Sequence, residues 1–220
     1  MELRGKKIAV LGDSITEGYG ASCMEKTYWG LIGQQTGALV YGYGIGGTRI
    51  AAQQIPTPPP DAHKDQYFAS RVESLIPDAD VVVVFGGTND FGDGDAALGH
   101  MEDRTEDTFY GAYHLLIRKL LNRYPDGKLV VMTPLHRMSE DETDYNERGV
   151  RRVGSLQRYA DAIIEVAGFY GVPVVDLFRT SGIQPRVDIL REKYMPDGLH
   201  PNDEGHALLA QRLLTVLNTI

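Results

Sequence analysis

Residues 80–87 read DVVVVFGG, an unbroken apolar run that ends in two glycines. Four more short apolar runs occur along the chain, and three of the five are nearly continuous in Val, Ile or Leu, as expected for strands buried on both faces. The other four are KIAVLG (7–12), ALVYGYG (38–44), KLVVMTP (128–134) and VPVVDLF (172–178). We therefore predict five strands, of which 80–87 is the most apolar.

Segments with helical spacing separate these runs. They are clearest at 108–124, 155–170 and 203–220, and shorter helices are predicted at 26–36 and 66–76. Strands that alternate with helices indicate βαβ units, which form a parallel sheet with helices on both faces. Right-handed crossovers leave few arrangements. We predict a three-layer α/β/α fold with a five-stranded parallel sheet of flavodoxin-like strand order, in one domain over residues 1–220.

The stretch IPTPPPDAHKD (55–65) interrupts this alternation. Consecutive prolines prevent a regular helix or strand pairing, so a stiff loop is expected. The sequence leaves open whether this loop borders the chain's own site or that of a neighbouring copy, and a homo-oligomer remains compatible with it.

Composition and charge exclude several classes of protein. The 220 residues are 42% hydrophobic and 24% charged, with a formal net charge of -8. An acidic chain opposes nonspecific attraction to nucleic acid or to an anionic membrane surface, so neither is an expected partner. The single cysteine, Cys23, cannot form an internal disulfide and fits a reducing compartment. We expect a soluble, cytoplasmic protein.

Gly42, Gly44 and Gly47 spell G-x-G-x-x-G, the pattern that holds a dinucleotide pyrophosphate. That fingerprint should follow the first strand of its unit and precede an acidic residue at the next strand end, about 20 residues on. Here the glycines follow the second predicted strand, and the Pro-rich loop lies where the acidic residue is required. No dinucleotide or other cofactor is therefore expected.

Ser14 follows the first predicted strand, in GDSITEG. A serine at a strand-to-helix turn is either a helix N-cap or a nucleophile in the field of the helix N-terminus. The second role requires a base. His200 precedes the last predicted helix, with Asp197 three residues earlier, where a carboxylate can orient the imidazole. Asn89, after the third strand, is either a turn residue or an amide donor to a developing oxyanion.

Together these motifs resemble the SGNH (GDSL) hydrolase family. Four blocks appear in the family's order, at 12–16, 42–48, 86–90 and 197–200. The resemblance implies that Ser14 is the nucleophile, that Asp197 and His200 complete the triad, and that Ser14, Gly47 and Asn89 form the oxyanion hole. The chain departs from the common pattern in the second block, where glycines at 42 and 46 replace a frequent Asn and Ser.

The implied activity is hydrolysis of a carboxylic ester through an acyl-enzyme on Ser14, without a metal. The aspartates at 90, 93 and 95 lack the spacing of a calcium loop. We expect a small-molecule ester substrate, with a short acyl group such as acetyl on a carbohydrate or similar polar alcohol. A lipid acylhydrolase or thioesterase, or a non-catalytic carbohydrate-binding module, are the alternatives.

The substrate expectation rests on three features of the sequence. No long apolar segment marks a lipid-binding lid. Aromatic residues in the strand-end loops could stack on sugar faces, and arginines could bind hydroxyls or a carboxylate. The aromatic candidates are Tyr19, Tyr43, Tyr67, Phe91 and Tyr145, and the arginines are Arg49, Arg137, Arg148, Arg151 and Arg152.

Overall fold

The computed structural model describes residues 2–141 and 154–220 and contains a five-stranded parallel sheet. The strands are β1 (Lys7–Gly12), β2 (Leu39–Gly44), β3 (Val81–Phe85), β4 (Lys128–Met132) and β5 (Val174–Val175). Their order is β2-β1-β3-β4-β5, which is the flavodoxin-like order. The prediction of fold class and strand order is confirmed.

Eight helices flank the sheet in the described part of the chain. They are α1 (Ser14–Glu17), α2 (Tyr28–Thr36), α3 (Thr88–Asp93), α4 (Phe109–Arg123), α5 (Leu156–Phe169), α6 (Leu177–Thr180), α7 (Asp188–Tyr194) and α8 (Asp203–Leu217). Side chains of β3 alternate between two hydrophobic cores. Val82 and Val84 pack on the side of α4 and α5. Val81 and Val83 pack on the side of α2 and α8. The three-layer architecture follows from this alternation.

Two of the longer helices, α4 and α8, begin at residues whose side chains bind free backbone N–H groups. Thr108 Oγ1 accepts from Gly111 N–H at the start of α4, at 3.2 Å. Asn202 Oδ1 accepts from Gly205 N–H at the start of α8, at 3.0 Å. Such caps satisfy donors that have no partner within the helix. The cap of α8 fixes where the loop that carries Asp197 and His200 must end.

Several predicted elements differ in detail. The segment 66–76 forms two short 3₁₀ turns, Phe68–Ser70 and Val72–Ser74, instead of an α-helix. The fifth strand is short because Asp176 caps α6, so the chain leaves the sheet earlier than the apolar run at 172–178 indicated. Helix α7 was not predicted. Within residues 2–141 and 154–220, no helix is both long and apolar enough to cross a bilayer.

Candidate active site

Four segments meet at the carboxyl edge of the sheet. Ser14 follows β1, Gly47 follows β2, Asn89 follows β3, and His200 lies in the loop before α8. All four border one open cleft of about 380 Å³. The candidates are separated in the chain by up to 186 positions, and the parallel topology brings them together because strand ends share one edge.

A chain of two hydrogen bonds joins Ser14, His200 and Asp197. Ser14 Oγ lies 3.1 Å from His200 Nε2, and His200 Nδ1 lies 2.7 Å from Asp197 Oδ2. With Nδ1–H donating to the carboxylate, Nε2 is left to accept the proton of the Ser14 hydroxyl. The structure therefore places His200 in contact with the Ser14 hydroxyl and Asp197 in contact with His200.

Backbone donors hold the Asp197 carboxylate in place. Its Oδ1 accepts from the N–H of His200 at 2.7 Å and from the N–H of Leu199 at 2.8 Å. Partial burial raises the pKa of Asp197, but these two N–H groups and the imidazole outweigh it and hold the pKa below its usual value. The carboxylate is therefore ionised when it orients His200.

The N-cap of α1 is Asp13, and Ser14 is the first residue within the helix. Asp13 Oδ1 accepts from Ile15 N–H at 3.1 Å. The interpretation of Ser14 as the cap is thus wrong, and its hydroxyl is available to His200. Burial raises the pKa of Asp13 to about 7, because the carboxylate has almost no contact with solvent.

Three groups that can donate hydrogen bonds belong to Ser14, Gly47 and Asn89, which line the same cleft. Among the described residues, the backbone N–H groups of Ser14 and Gly47 have no protein acceptor. Asn89 lies in the first turn of α3, and one N–H of its amide donates to Thr48 O at 3.0 Å, which fixes the group beside Gly47. Gly47 has φ of 72°, a backbone conformation that favours glycine. This arrangement can bind an oxyanion.

Gly42 and Gly44, at the end of β2, allow close packing against α1 and α2. A Cβ at Gly44 would overlap the backbone of Thr16 and Glu17, and one at Gly42 would lie 2.6 Å from the Trp29 ring. Two glycines of the literal dinucleotide pattern are therefore explained by the close approach of β2 to these two helices.

Arg49 does not face the cleft, contrary to its interpretation as a substrate-binding group. Its side chain is 1% exposed and pairs with Asp93 at 2.8 Å and with Asp65 at 3.3 Å. Burial raises the pKa of Asp90 to about 6, and its carboxylate accepts from Ile50 N–H and Ala51 N–H. These acids hold the backbone that follows Gly47.

The acidic residues at 90, 93 and 95 are hydrogen-bonded to other parts of the protein. Asp95 accepts from the backbone of Gln54 and Ile55. In the described ranges there is no group of three His, Cys, Asp or Glu side chains that could hold a metal ion. The carboxylates bind backbone groups and Arg49 instead.

Of the other aromatic and arginine candidates, Tyr19 and Arg137 border the cleft. The Tyr19 ring lies 5.4 Å from that of His200 and is 58% exposed. Tyr43 is structural, since its hydroxyl accepts from Ile76 N–H at 3.0 Å, and Phe91 is buried in the core that Tyr67 packs against. Tyr145, Arg148, Arg151 and Arg152 lie outside the described residues.

Two sets of cleft residues were not predicted. The Pro-rich segment supplies Asp61, His63 and Lys64 to the wall of the chain's own cleft. The Lys64 side chain packs against Gly47, where an added Cβ would lie 2.8 Å from its methylenes. Its ammonium pairs with Asp61 at 2.9 Å. Glu17 also borders the cleft. The sequence carried no motif for these residues, because they act through contacts between distant segments.

Comparison with known proteins places the chain in a family. Residues 10–208 match the model of the GDSL-like lipase/acylhydrolase family. A GDSL lipase of Mycobacterium tuberculosis is 24% identical over 99% of this chain and 84% of its own. A Lactobacillus plantarum protein of known structure is 29% identical, with 98% of each chain covered and a TM-score of 0.81.

An acetyl xylan esterase shares the fold, with a TM-score of 0.65 at 23% identity over 96% of this chain and 99% of that one. The fold, the order of the motifs along the chain and the family match all agree. The chain belongs to the GDSL-like lipase/acylhydrolase family and is a carboxylic ester hydrolase.

Proposed function

We propose that the protein is a serine esterase that removes a short acyl group, such as acetyl, from a carbohydrate or similar polar alcohol. The observation that carries this proposal is the Ser14–His200–Asp197 hydrogen-bond chain, which opens onto a cleft walled mainly by polar side chains. Ser14, His200 and Asp197 are its catalytic residues.

The reaction proceeds in two halves. His200 Nε2 takes the hydroxyl proton as Ser14 Oγ attacks the ester carbon, and the tetrahedral oxyanion accepts hydrogen bonds from Ser14 N–H, Gly47 N–H and the Asn89 amide. His200 then protonates the departing alcohol, which leaves the acyl group on Ser14. Water attacks the acyl-enzyme with His200 again as base, and Ser14 is released.

The character of the cleft supports a short acyl group and a polar alcohol. Tyr19 and Leu199 are the two apolar residues in its described wall; the others are polar, charged or glycine. The described residues also form a more apolar groove of about 400 Å³ between α2 and β2, but neither Ser14 nor His200 borders it. A long acyl chain on Ser14 would therefore lie against charged groups, which is unfavourable.

A chain-length series of nitrophenyl esters tests the acyl preference. We expect kcat/KM to decrease from acetate through butyrate to octanoate, with the Ser14→Ala variant inactive on all three. An acetylated xylo-oligosaccharide should also release acetate. A maximum at octanoate would contradict the short-chain proposal and favour a lipid acylhydrolase.

A further inference from the structure

Glu17 borders the cleft but takes no part in the acyl-transfer steps. It is the last residue of α1, one turn after Ser14. Its Oε2 accepts a hydrogen bond from Gly46 N–H at 2.6 Å, which is short for an N–H···O contact. The contact therefore joins the helix that carries the nucleophile candidate to the loop that follows β2.

The position of Gly46 makes this contact relevant to the oxyanion donors. Gly46 precedes Gly47, and the peptide between them carries the Gly47 N–H. A Cβ at Gly46 would lie 2.8 Å from the Glu17 carboxylate and 3.7 Å from Ser14 Cβ. Residue 46 is thus held directly against both ends of α1.

Other contacts fix residues 45 and 48 of this loop but not the N–H of residue 46; they include the Thr48 hydroxyl, which donates to Ile45 O at 2.7 Å, and the Asn89 amide, which donates to Thr48 O at 3.0 Å. Ile45 N–H donates to Gly12 O at 3.2 Å, and Thr48 N–H donates to Ile45 O at 3.3 Å. Both backbone bonds are long, and the Gly47 backbone has the left-handed conformation that glycine adopts freely. The Glu17 carboxylate supplies the shortest hydrogen bond to the segment 45–48.

We propose that Glu17 is a positioning residue that sets the Gly47 N–H relative to Ser14. This inference rests on the proposed function, since it concerns the oxyanion hole of that reaction. Misplacement of a stabilising group by about 1 Å can cost on the order of 100-fold in rate. Loss of one tether of the loop should therefore reduce kcat and leave KM, which reports mainly on the rest of the cleft, almost unchanged.

Three substitutions of Glu17 distinguish the effect of side-chain length from the effect of its charge. Glu17→Gln keeps an acceptor oxygen at the same distance without the charge, and Glu17→Asp keeps the charge but is one methylene short of Gly46. Glu17→Ala loses both. Glu192→Ala, at an exposed position of α7, is the matched control for loss of one negative charge. Each variant is assayed for kcat and KM on nitrophenyl acetate, for inactivation rate with a fluorophosphonate, and for melting temperature.

We expect kcat and the inactivation rate to be about tenfold lower in Glu17→Ala and Glu17→Asp, with KM within about twofold of wild type. In Glu17→Gln, kcat and the inactivation rate should stay within about threefold of wild type. Glu192→Ala should match wild type. The inference is wrong if Glu17→Ala keeps the wild-type kcat, or if kcat decreases as much in Glu17→Gln as in Glu17→Ala. It is also wrong if the decrease in activity of each variant is accounted for by a smaller fraction of folded protein. Wild-type protein that the fluorophosphonate does not label would instead contradict the proposed function.

Discussion

Asp13 and Ser14 are neighbours in the chain and have different roles at the start of α1. Asp13 accepts from Ile15 N–H as the helix cap, so the hydroxyl of Ser14 is left to contact His200 Nε2. Ser14 N–H, at the first position of the helix, has no acceptor among the described residues. One residue can therefore present both a nucleophilic oxygen and an oxyanion donor, provided that its neighbour caps the helix.

At the residue scale, Asn89→Ala tests the side-chain donor of the oxyanion hole. We expect kcat to decrease by about 10²–10³-fold with KM little changed, because the amide binds the transition state more strongly than the ester. Steady-state kinetics on nitrophenyl acetate measure this. Asn122→Ala, at an exposed position of α4, is the control. A decrease below about threefold would mean that Asn89 only holds Thr48 O.

At the scale of elements, buried strands and the order of the motifs were predictable from the sequence. Val81 to Phe85 are all buried, so β3 has a continuous apolar run and could be recognised without periodicity. Ser14, Asn89 and His200 follow strands or precede a helix, and parallel topology brings such positions together. The contact of Ser14 with His200, and of His200 with Asp197, could therefore be anticipated.

Features that depend on a helix cap within an apolar run, or on contacts between distant segments, could not be predicted from the sequence. The run at 172–178 is apolar enough for a longer strand, but the Asp176 cap starts α6 inside it. Arg49 resembled a substrate ligand because its partners are distant in the chain: Asp65 ends the 3₁₀ turn Asp61–Asp65, and Asp93 ends α3. The contacts of Glu17 with Gly46 and of Lys64 with Gly47 depend in the same way on packing between segments.

In the molecule as a whole, the buried ionisable side chains of Asp13 and Arg71 lie next to the strand ends that carry the candidate site. Arg71 donates to Gly12 O at 3.0 Å, to Tyr43 O at 3.1 Å and to Thr48 Oγ1 at 3.1 Å, which ties the ends of β1 and β2 together. Burial lowers the pKa of Arg71 to about 10, although the nearby Asp13 opposes this. The site is thus supported by ionisable groups whose burial must cost stability.

The pH dependence of folding follows from Asp13. Its pKa is about 7 in the folded protein against 3.8 for an unperturbed Asp, so the folded state binds more protons between these values. The contribution of Asp13 to stability therefore decreases as pH rises through this window. Asp13→Asn removes the titration and keeps an oxygen for Ile15 N–H.

We expect the free energy of unfolding of Asp13→Asn, relative to wild type, to be larger at pH 8 than at pH 5. Chemical denaturation at both pH values measures it. The comparison is made as a difference because burial lowers the pKa of His206 to about 4, which gives both proteins the opposite slope below pH 6.5. A difference that does not change with pH would contradict the assignment of a buried, titrating Asp13.

The proposed function requires that Ser14 is the nucleophile and that His200 activates it. Fluorophosphonate treatment of the folded protein, followed by peptide mass spectrometry, tests it most directly. We predict one adduct, on Ser14, that forms far more slowly in His200→Ala and not at all in Ser14→Ala. Folded wild-type protein that gains no adduct, or gains it on another residue, would contradict the claim.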